Sequence, residues 1–452
     1  MSWPSAVFGR RSSPPASRRR LLPPSNGTRD AMTTGTPRPP RTHRSDHVIA
    51  SHSLDPKTAD ARSVSDLRED LQRLAVTRSL TRLNDIRVVL ESLRIRAGAS
   101  VLRTQQRTAV DLFSGAGGAT QGLRIAGYKV LAAVESDPVA AATYVVNHPR
   151  VRVYTQDIRE LEAETLLHDL NLRRGEIAVL KACPPCQGFS SLRRGRVADE
   201  RNDLVREVWR FIEVLRPLTF AVENVPGLRH DARLELLIRQ ARAIGYRVRD
   251  YVVDAHDFGV PQRRRRLLVL GVRSPDASAF PTDLREVLPH AFRRPAPDAL
   301  AVLTRGHGWL PEGDVLHRPR SHSPMVQLRL QTLPVNGDRF SLPLDQQLEC
   351  HIKLGRRAAT ASYGRIPTAG PSPTMTTRCT TPACGAFVHP TEPRAITLRE
   401  AALLQTFPPQ YRFVGFYDEI ERQIGNALPV KLGEAVGRCL SALSAPASTQ
   451  GN

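Results

Sequence analysis

Cys186 stands in the run Ala182-Cys183-Pro184-Pro185-Cys186-Gln187-Gly188-Phe189-Ser190. An apolar stretch, Ile177-Ala178-Val179-Leu180, leads into it and reads as a buried parallel strand, which two prolines then stop. The strand thus delivers a thiol to a stiff loop at its carboxyl end, the edge where open α/β sheets take their ligands. Three readings suit that placement: a nucleophilic thiolate, a small core residue, or a redox or metal-binding C-x-x-C formed with Cys183. The stretch alone leaves all three open. A second reactive type follows at the next strand end, where Phe220-Ala221-Val222 runs into Glu223-Asn224-Val225-Pro226. Its carboxylate falls beside the expected place of Cys186 and suits general acid or base work. A third type is cationic. Gln262-Arg263-Arg264-Arg265-Arg266 enters a strand expected from Leu267 to Val272, so alternate arginines face opposite sides and Arg264 and Arg266 share one. The plainer reading of such a run is a solvated basic face.

These groups need a scaffold, and the pattern from Thr108 onward supplies one. Ala109 to Phe113 is a short apolar strand, Ser114-Gly115-Ala116-Gly117-Gly118 a turn, and Leu123, Ile125 and Ala126 lie on a helix stopped by Gly127. Strand, glycine turn and helix open a nucleotide-binding unit, because glycines admit a ligand close to the backbone and the helix start offers free N–H groups. Thr120 occupies the place of the third glycine in G-x-G-x-x-G, which argues against a nicotinamide or flavin enzyme. A second strand, Val130 to Val134, ends in Glu135, placed to grip ribose hydroxyls or else to lie solvated at a strand end. A third, Val151 to Tyr154, leads to Asp157-Ile158, a pair able to meet an adenine amino group and ring. Leu204, Val208, Phe211, Ile212 and Leu215 share one helical face, and a further strand is expected from Arg247 to Val253. The expectation is an α/β, Rossmann-like domain with a mostly parallel sheet.

The flanks differ in character. Residues 1–58 are rich in Arg, Pro and Ser and read as a disordered basic tail, dispensable for activity, or as an upstream extension if translation begins at Met32. Residues 59–105 read as accessory helices. From 281 to 392 periodicity fades, with short strands expected, in a smaller irregular domain whose Cys350, Cys379 and Cys384 lack zinc spacing. Order returns at 393–443. There Thr397 and Glu400 form a capping box, and Gln423-Ile424-Gly425-Asn426-Ala427-Leu428-Pro429-Val430 opens a closing helix ahead of a short tail, 444–452. A formal net charge of +21 over 452 residues suggests a polyanionic partner, or a bias towards arginine with no binding role. Six cysteines make no disulfide framework and fit a reducing cytoplasm, and no apolar run reaches the roughly 18 residues of a membrane span.

Taken together and in this order, the motifs between residues 107 and 442 resemble the DNA (cytosine-5)-methyltransferases. The resemblance implies a domain at 106–280 that binds S-adenosylmethionine and carries the catalytic groups, and a target-recognition domain at 281–392. It assigns the cofactor to Phe113, Ser114, Gly115, Ala116, Gly117, Gly118, Glu135, Asp157, Ile158, Pro184, Leu204, Asn426 and Ala427. Cys186 becomes the nucleophile that adds to cytosine C6, and Glu223 the group that meets N3. Arg264 holds the base oxygen and supports Glu223, and Arg266 shares that work or binds a phosphate. Gln187, Ser190, Arg193, Arg194 and Arg196 are expected on double-stranded DNA with the target base flipped out. Cys183 stands where the family has a small residue, which makes the C-x-x-C a coincidence. No metal and no membrane are implied. The expected protein is a bacterial cytoplasmic monomer, with a cognate restriction endonuclease acting separately. Two rivals remain: a transfer-RNA methyltransferase of the same fold, against which Gly188-Phe189-Ser190 speaks, and an inactive DNA-binding relative, against which the full motif set speaks.

Overall fold

The computed structural model describes residues 107–185, 203–273, 279–307, 313–354 and 361–445. The tail and accessory helices expected before residue 106 lie outside these residues, as does the loop with Cys186, Gln187, Ser190, Arg193, Arg194 and Arg196. In chain order the elements are β1 (Thr108–Leu112), α1 (Gly118–Ile125), β2 (Lys129–Val134), α2 (Pro138–Asn147), β3 (Arg152–Tyr154), α3 (Ala163–Asp169), β4 (Val179–Ala182) and α4 (Leu204–Leu215). Then come β5 (Thr219–Asn224), α5 (Ala232–Ala243), β6 (Arg247–Asp254), β7 (Arg265–Val272), α6 (Ala299–His307), α7 (Pro324–Thr332), α8 (Glu349–Leu354), α9 (Leu398–Leu404), α10 (Tyr417–Asn426) and α11 (Val430–Ser444).

The strands form one sheet in the order β3-β2-β1-β4-β5-β7-β6. β1 to β5 run parallel, whereas β7 lies antiparallel between β5 and β6. This is the mostly parallel α/β sheet that the strand and helix alternation predicts. Its strands are buried on both faces, so successive residues feed opposite cores. Ala109, Val179, Ala221 and Leu268 pack with α1, α2 and α11 on one face. Val110, Leu180, Val222 and Leu267 pack with α3, α4 and α5 on the other. β4 begins and ends two residues later than the apolar run suggests. It carries Lys181, which is buried because Asp111 stands in register on β1 with its Oδ1 2.9 Å from Nζ.

Between 281 and 392 the described residues hold helices, 3-10 turns and isolated bridges instead of the expected short strands. Prolines throughout the segment remove the backbone donors that a ladder needs. Leu284, Leu288 and Phe292 at its start join the core beneath α11. Further on, Ala299, Leu303, Ile366, Met375 and Phe387 share a core with Leu398, Phe407, Tyr411 and Ile424. The Thr397–Glu400 capping box is present on α9. The Gln423–Val430 motif does not open the closing helix. Gln423 to Asn426 finish α10, Ala427 turns extended, and α11 begins after Pro429, whose ring suits a helix start and whose missing N–H ends the previous hydrogen-bond ladder.

Candidate active site

The antiparallel insertion of β7 sets the geometry of the site. A parallel neighbour would bring its carboxyl end to Glu223, but an antiparallel one brings its amino end, where the arginines are. Glu223 pairs across the ladder with Leu268. Arg266, two residues earlier on the same face, reaches the carboxylate with Nε 2.8 Å from Oε1. Both side chains are largely shielded, at 14% and 12% exposure for Arg266 and Glu223, so the pair is worth more than a surface bridge. Asn224, the next residue of β5, is buried and donates Nδ2–H to the Pro184 carbonyl at 2.9 Å. That bond pins the entry of the Pro184-Pro185-Cys186 loop beside Glu223.

Arg264 has partners in the fold that its expected role did not include. It does share the side of Arg266, and Arg263 and Arg265 face solvent, as alternation requires. Its hydrogen bonds go elsewhere than to Glu223, although the two charges attract. Its buried guanidinium donates to the carbonyls of Met375 at 2.8 Å, Gly425 at 3.2 Å and Ala427 at 3.1 Å. Burial, with the like charge of Arg266 nearby, pulls its pKa down to about 9, so it stays cationic at neutral pH. The orphan carbonyls at the end of α10 find here a cation suited to the helix C-terminus. Gln262 works beside it. Its Nε2 donates to Gln405 Oε1 at 2.9 Å, and its Oε1 accepts from the Met375 N–H at 3.0 Å. Together these residues fasten the 372–375 segment and the Gly425-Asn426-Ala427 turn to the catalytic edge.

The glycine loop follows β1. Phe113, Gly115 and Gly117 all have positive φ, and Gly117 caps α1. No atom lies within 4 Å of the Cβ position of Gly115, so the loop is open on that side. Glu135 accepts from the Gly115 N–H at 2.7 Å and the Asp137 N–H at 2.9 Å. Burial raises its pKa against those two bonds. The other wall comes from the chain's end. The Cβ position of Gly118 lies 2.5 Å from the Leu428 carbonyl and 3.6 Å from the Ala427 side chain, so only glycine lets the last motif touch the loop. Tyr411 donates Oη–H to the Ala116 carbonyl at 2.6 Å. Neutral His148 supports that tyrosine. Arg124 donates to its Nδ1 at 3.0 Å, which leaves the proton on Nε2 facing Tyr411 Oη at 3.0 Å.

The remaining expected residues fall as follows. Ser114 is buried, its Oγ directed at the Val134 carbonyl. Asp157 is half-exposed and chelated by Arg159, which holds its carboxyl below the usual range, and Ile158 is buried in the core below. Leu204 opens α4 and packs partly on that same core. Asn426 is exposed and Ala427 half-buried. Sequence reasoning gave no role to Lys181, Gln405, Tyr411 and His148, named Asp111 and Asn224 without a role of their own, and set Cys183 aside as a coincidence. The signal for Asp111 and Lys181 lay in charged residues within apolar strands, which need a partner in register.

The arrangement is that of an α/β sheet with an open glycine loop and a shielded carboxylate–guanidinium pair at one edge. Residues 107–442 match the family model for C-5 cytosine-specific DNA methylase, and the chain belongs to that family. It is a DNA cytosine-5 methyltransferase. It is 33% identical over 342 residues to the type II methylase M.HgiDII of Herpetosiphon aurantiacus, covering 73% of this chain and 94% of that one. It is 30% identical over 341 residues to the type II methyltransferase M1.HphI of Haemophilus parahaemolyticus, covering 74% and 86%. Among solved structures, it is similar to a protein described as a DNA modification methyltransferase encoded within an E. coli prophage, with a TM-score of 0.55, 25% identity, and 74% and 99% of the two chains covered.

Proposed function

We propose that this enzyme methylates C5 of a cytosine flipped out of duplex DNA, with S-adenosylmethionine as methyl donor and Cys186 as covalent nucleophile. The observation that carries the reading is the Glu223–Arg266 pair, held by Asn224 against the carbonyl of Pro184, two residues before Cys186. Cytosine C5 is too poor in electrons to attack a methyl group unaided. Addition of the Cys186 thiolate to C6 forms an S–C6 bond and moves the ring's double-bond electrons towards C5 and N3. Glu223 meets N3 with a proton or hydrogen bond as charge develops there, and Arg266 fixes the carboxyl in place. Bound S-adenosylmethionine supplies an electrophilic methyl group for C5. Loss of the C5 proton to a base then re-forms the double bond and expels the Cys186 thiolate.

The residues around the glycine loop fit that cofactor. Gly115 leaves open space for a ligand against the backbone, and the Glu135 carboxylate, held by two N–H groups, keeps lone pairs for ribose hydroxyls. Ala427 and Asn426 close the far side. Gln187, Ser190, Arg193, Arg194 and Arg196 contact the DNA backbone and the emptied base position, and residues 281–392 read the target. The protein acts as a monomer in the bacterial cytoplasm, in a restriction-modification pair with a separate endonuclease, as the type II names of its relatives suggest. The test is bisulfite sequencing of DNA from a methylation-free host that expresses the chain. A single 5-methylcytosine motif, absent with Cys186→Ala, is expected. Methylation that survives Cys186→Ala would overturn the covalent mechanism, and its complete absence from the parent would overturn the substrate.

A further inference from the structure

A row of polar side chains crosses the sheet on the face that packs against α1, α2 and α11. Asp111 on β1 is in register with Lys181 on β4. Lys181 is in register with Ala221 on β5, so the next residues of the same parity, Cys183 and Glu223, stand side by side where the two strands end. Glu223 in turn meets Arg266 of β7 at 2.8 Å. Contacts join the row. Thr120 donates to Asp111 Oδ2 at 2.7 Å, and Lys181 Nζ lies 2.9 Å from Oδ1 with both side chains buried. By that register the Cys183 thiol stands between the Lys181 ammonium and the Glu223 carboxylate, and its titration responds to both charges. An ammonium can only donate and a carboxylate can only accept, so a neutral thiol placed between them is able to accept from Lys181 and to offer its own proton to Glu223.

We infer that Cys183 is a positioning residue for Glu223, and that Lys181 ties this pair to Asp111, at the end of the strand that leads into the glycine loop. Burial, and then the charge of Glu223, push the Cys183 thiol far above its ordinary value, so it stays protonated and a donor through the working pH range. Lys181 remains charged. Burial opposes its charge, but Asp111 and Cys183 outweigh that effect. The Glu223 carboxyl group is then held from two sides, by Arg266 of β7 and by Cys183 one residue past β4, which fixes the plane in which the group, once protonated, meets N3 of the base. Cys183 itself touches no reacting atom, so its loss acts through Glu223.

The inference rests on the function proposed above. Its test is single-turnover methyl transfer at saturating cofactor and DNA, compared for the parent, Cys183→Ala and Cys183→Ser. The last two differ only by a hydroxyl that can replace the thiol donor. Loss of one hydrogen bond to a charged group predicts a rate on the order of tenfold lower for Cys183→Ala. Serine should restore the rate to within about threefold, with the dissociation constants for cofactor and DNA unchanged in both. Cys183→Ala at the parental rate would overturn the inference, and so would a serine variant as slow as alanine, which would mean that volume alone matters. Should alanine fail to fold, the decision passes to Cys183→Ser against Cys183→Val: a slower valine variant supports the donor role and equal rates refute it. A parent that methylates no DNA would instead sink the proposed function.

Discussion

Replacing Arg264 with methionine separates its observed role from the catalytic role expected of it. Methionine keeps an unbranched, flexible stem and removes the guanidinium. The Ala427 carbonyl would retain Gln405 Nε2 at 3.2 Å. The Met375 and Gly425 carbonyls, now 2.8 and 3.2 Å from the guanidinium, would lose that donor. Gly425 has no helical substitute, because its partner four residues on is Pro429, which lacks an N–H. Each buried acceptor left unpaired costs about 1–3 kcal/mol, or roughly 2–6 kcal/mol for two. Removing a cation that burial already disfavours returns part of this. The expected net loss is about 2–4 kcal/mol, or roughly 2–6 °C in apparent Tm for a protein of this size. The assay is thermal unfolding by circular dichroism alongside methyl transfer measured well below the variant's Tm. Stability should fall while the Glu223–Arg266 pair and the chemical step persist. A variant that melts within a degree of the parent yet transfers a hundredfold more slowly would refute the capping argument and return Arg264 to the base.

Three further outcomes follow from the same geometry. Glu135→Gln keeps acceptor oxygen for only one of two N–H bonds and removes the charge, so the affinity for S-adenosylmethionine measured by calorimetry should drop about tenfold; unchanged affinity would remove Glu135 from the cofactor site. Gly425→Ala would place a Cβ 2.0 Å from the Thr376 carbonyl, which backbone alone can relieve, so a loss of about 1–3 kcal/mol is expected in unfolding experiments, and a neutral result would contradict that contact. His148, pulled down to about 3 first by burial and then by Arg124, stays neutral in the native state while the unfolded chain takes up a proton near pH 6.5. Its contribution to stability is therefore intact above that pH and is lost as pH falls towards 3, at up to about 1.4 kcal/mol per pH unit. His148→Gln should flatten the acid limb of the stability curve, and an unaltered limb would rule the histidine out.

How far the sequence spoke depended on whether a signal was local. The glycine loop was legible because positive φ and close approach select glycine directly, and the Thr397–Glu400 box because both partners sit within one turn. The sharing of one side by Arg264 and Arg266 was legible from parity alone. Their division of labour was not, because it depends on β7 running antiparallel and on the arrival of α10, about 160 residues later, with unpaired carbonyls. Lys181 drew no reading because an apolar pattern has no term for a charge cancelled by a neighbour in register. α7 shows the same failure reversed. Met325 and Leu328 are exposed on it while Arg329 is buried and donates to the Gln346 carbonyl, so hydrophobic periodicity points the wrong way.

The contacts also explain how the segment between β7 and α9 is set against the edge of the sheet. The chain leaves the sheet after β7 and returns at α9, and the two crossings are fastened both to the sheet edge and to each other. The Arg263 N–H donates to the Ser372 carbonyl and the Ser372 N–H to the Pro261 carbonyl, while Gln262 and Arg264 hold both flanks of Met375. The Ala299 N–H donates to the Gly370 carbonyl, so the segment between them is closed at its base. Beyond Thr376 the chain packs against Gly425 and is carried into the wall of the glycine loop. Among the described residues, the ion pair on Glu223 comes from β7 and its strand pairing from β5 and β7, so no bond to it arises between about 300 and 370. The buried residues Gln262, Arg264 and Gln405 form the collar between that segment and the sheet edge.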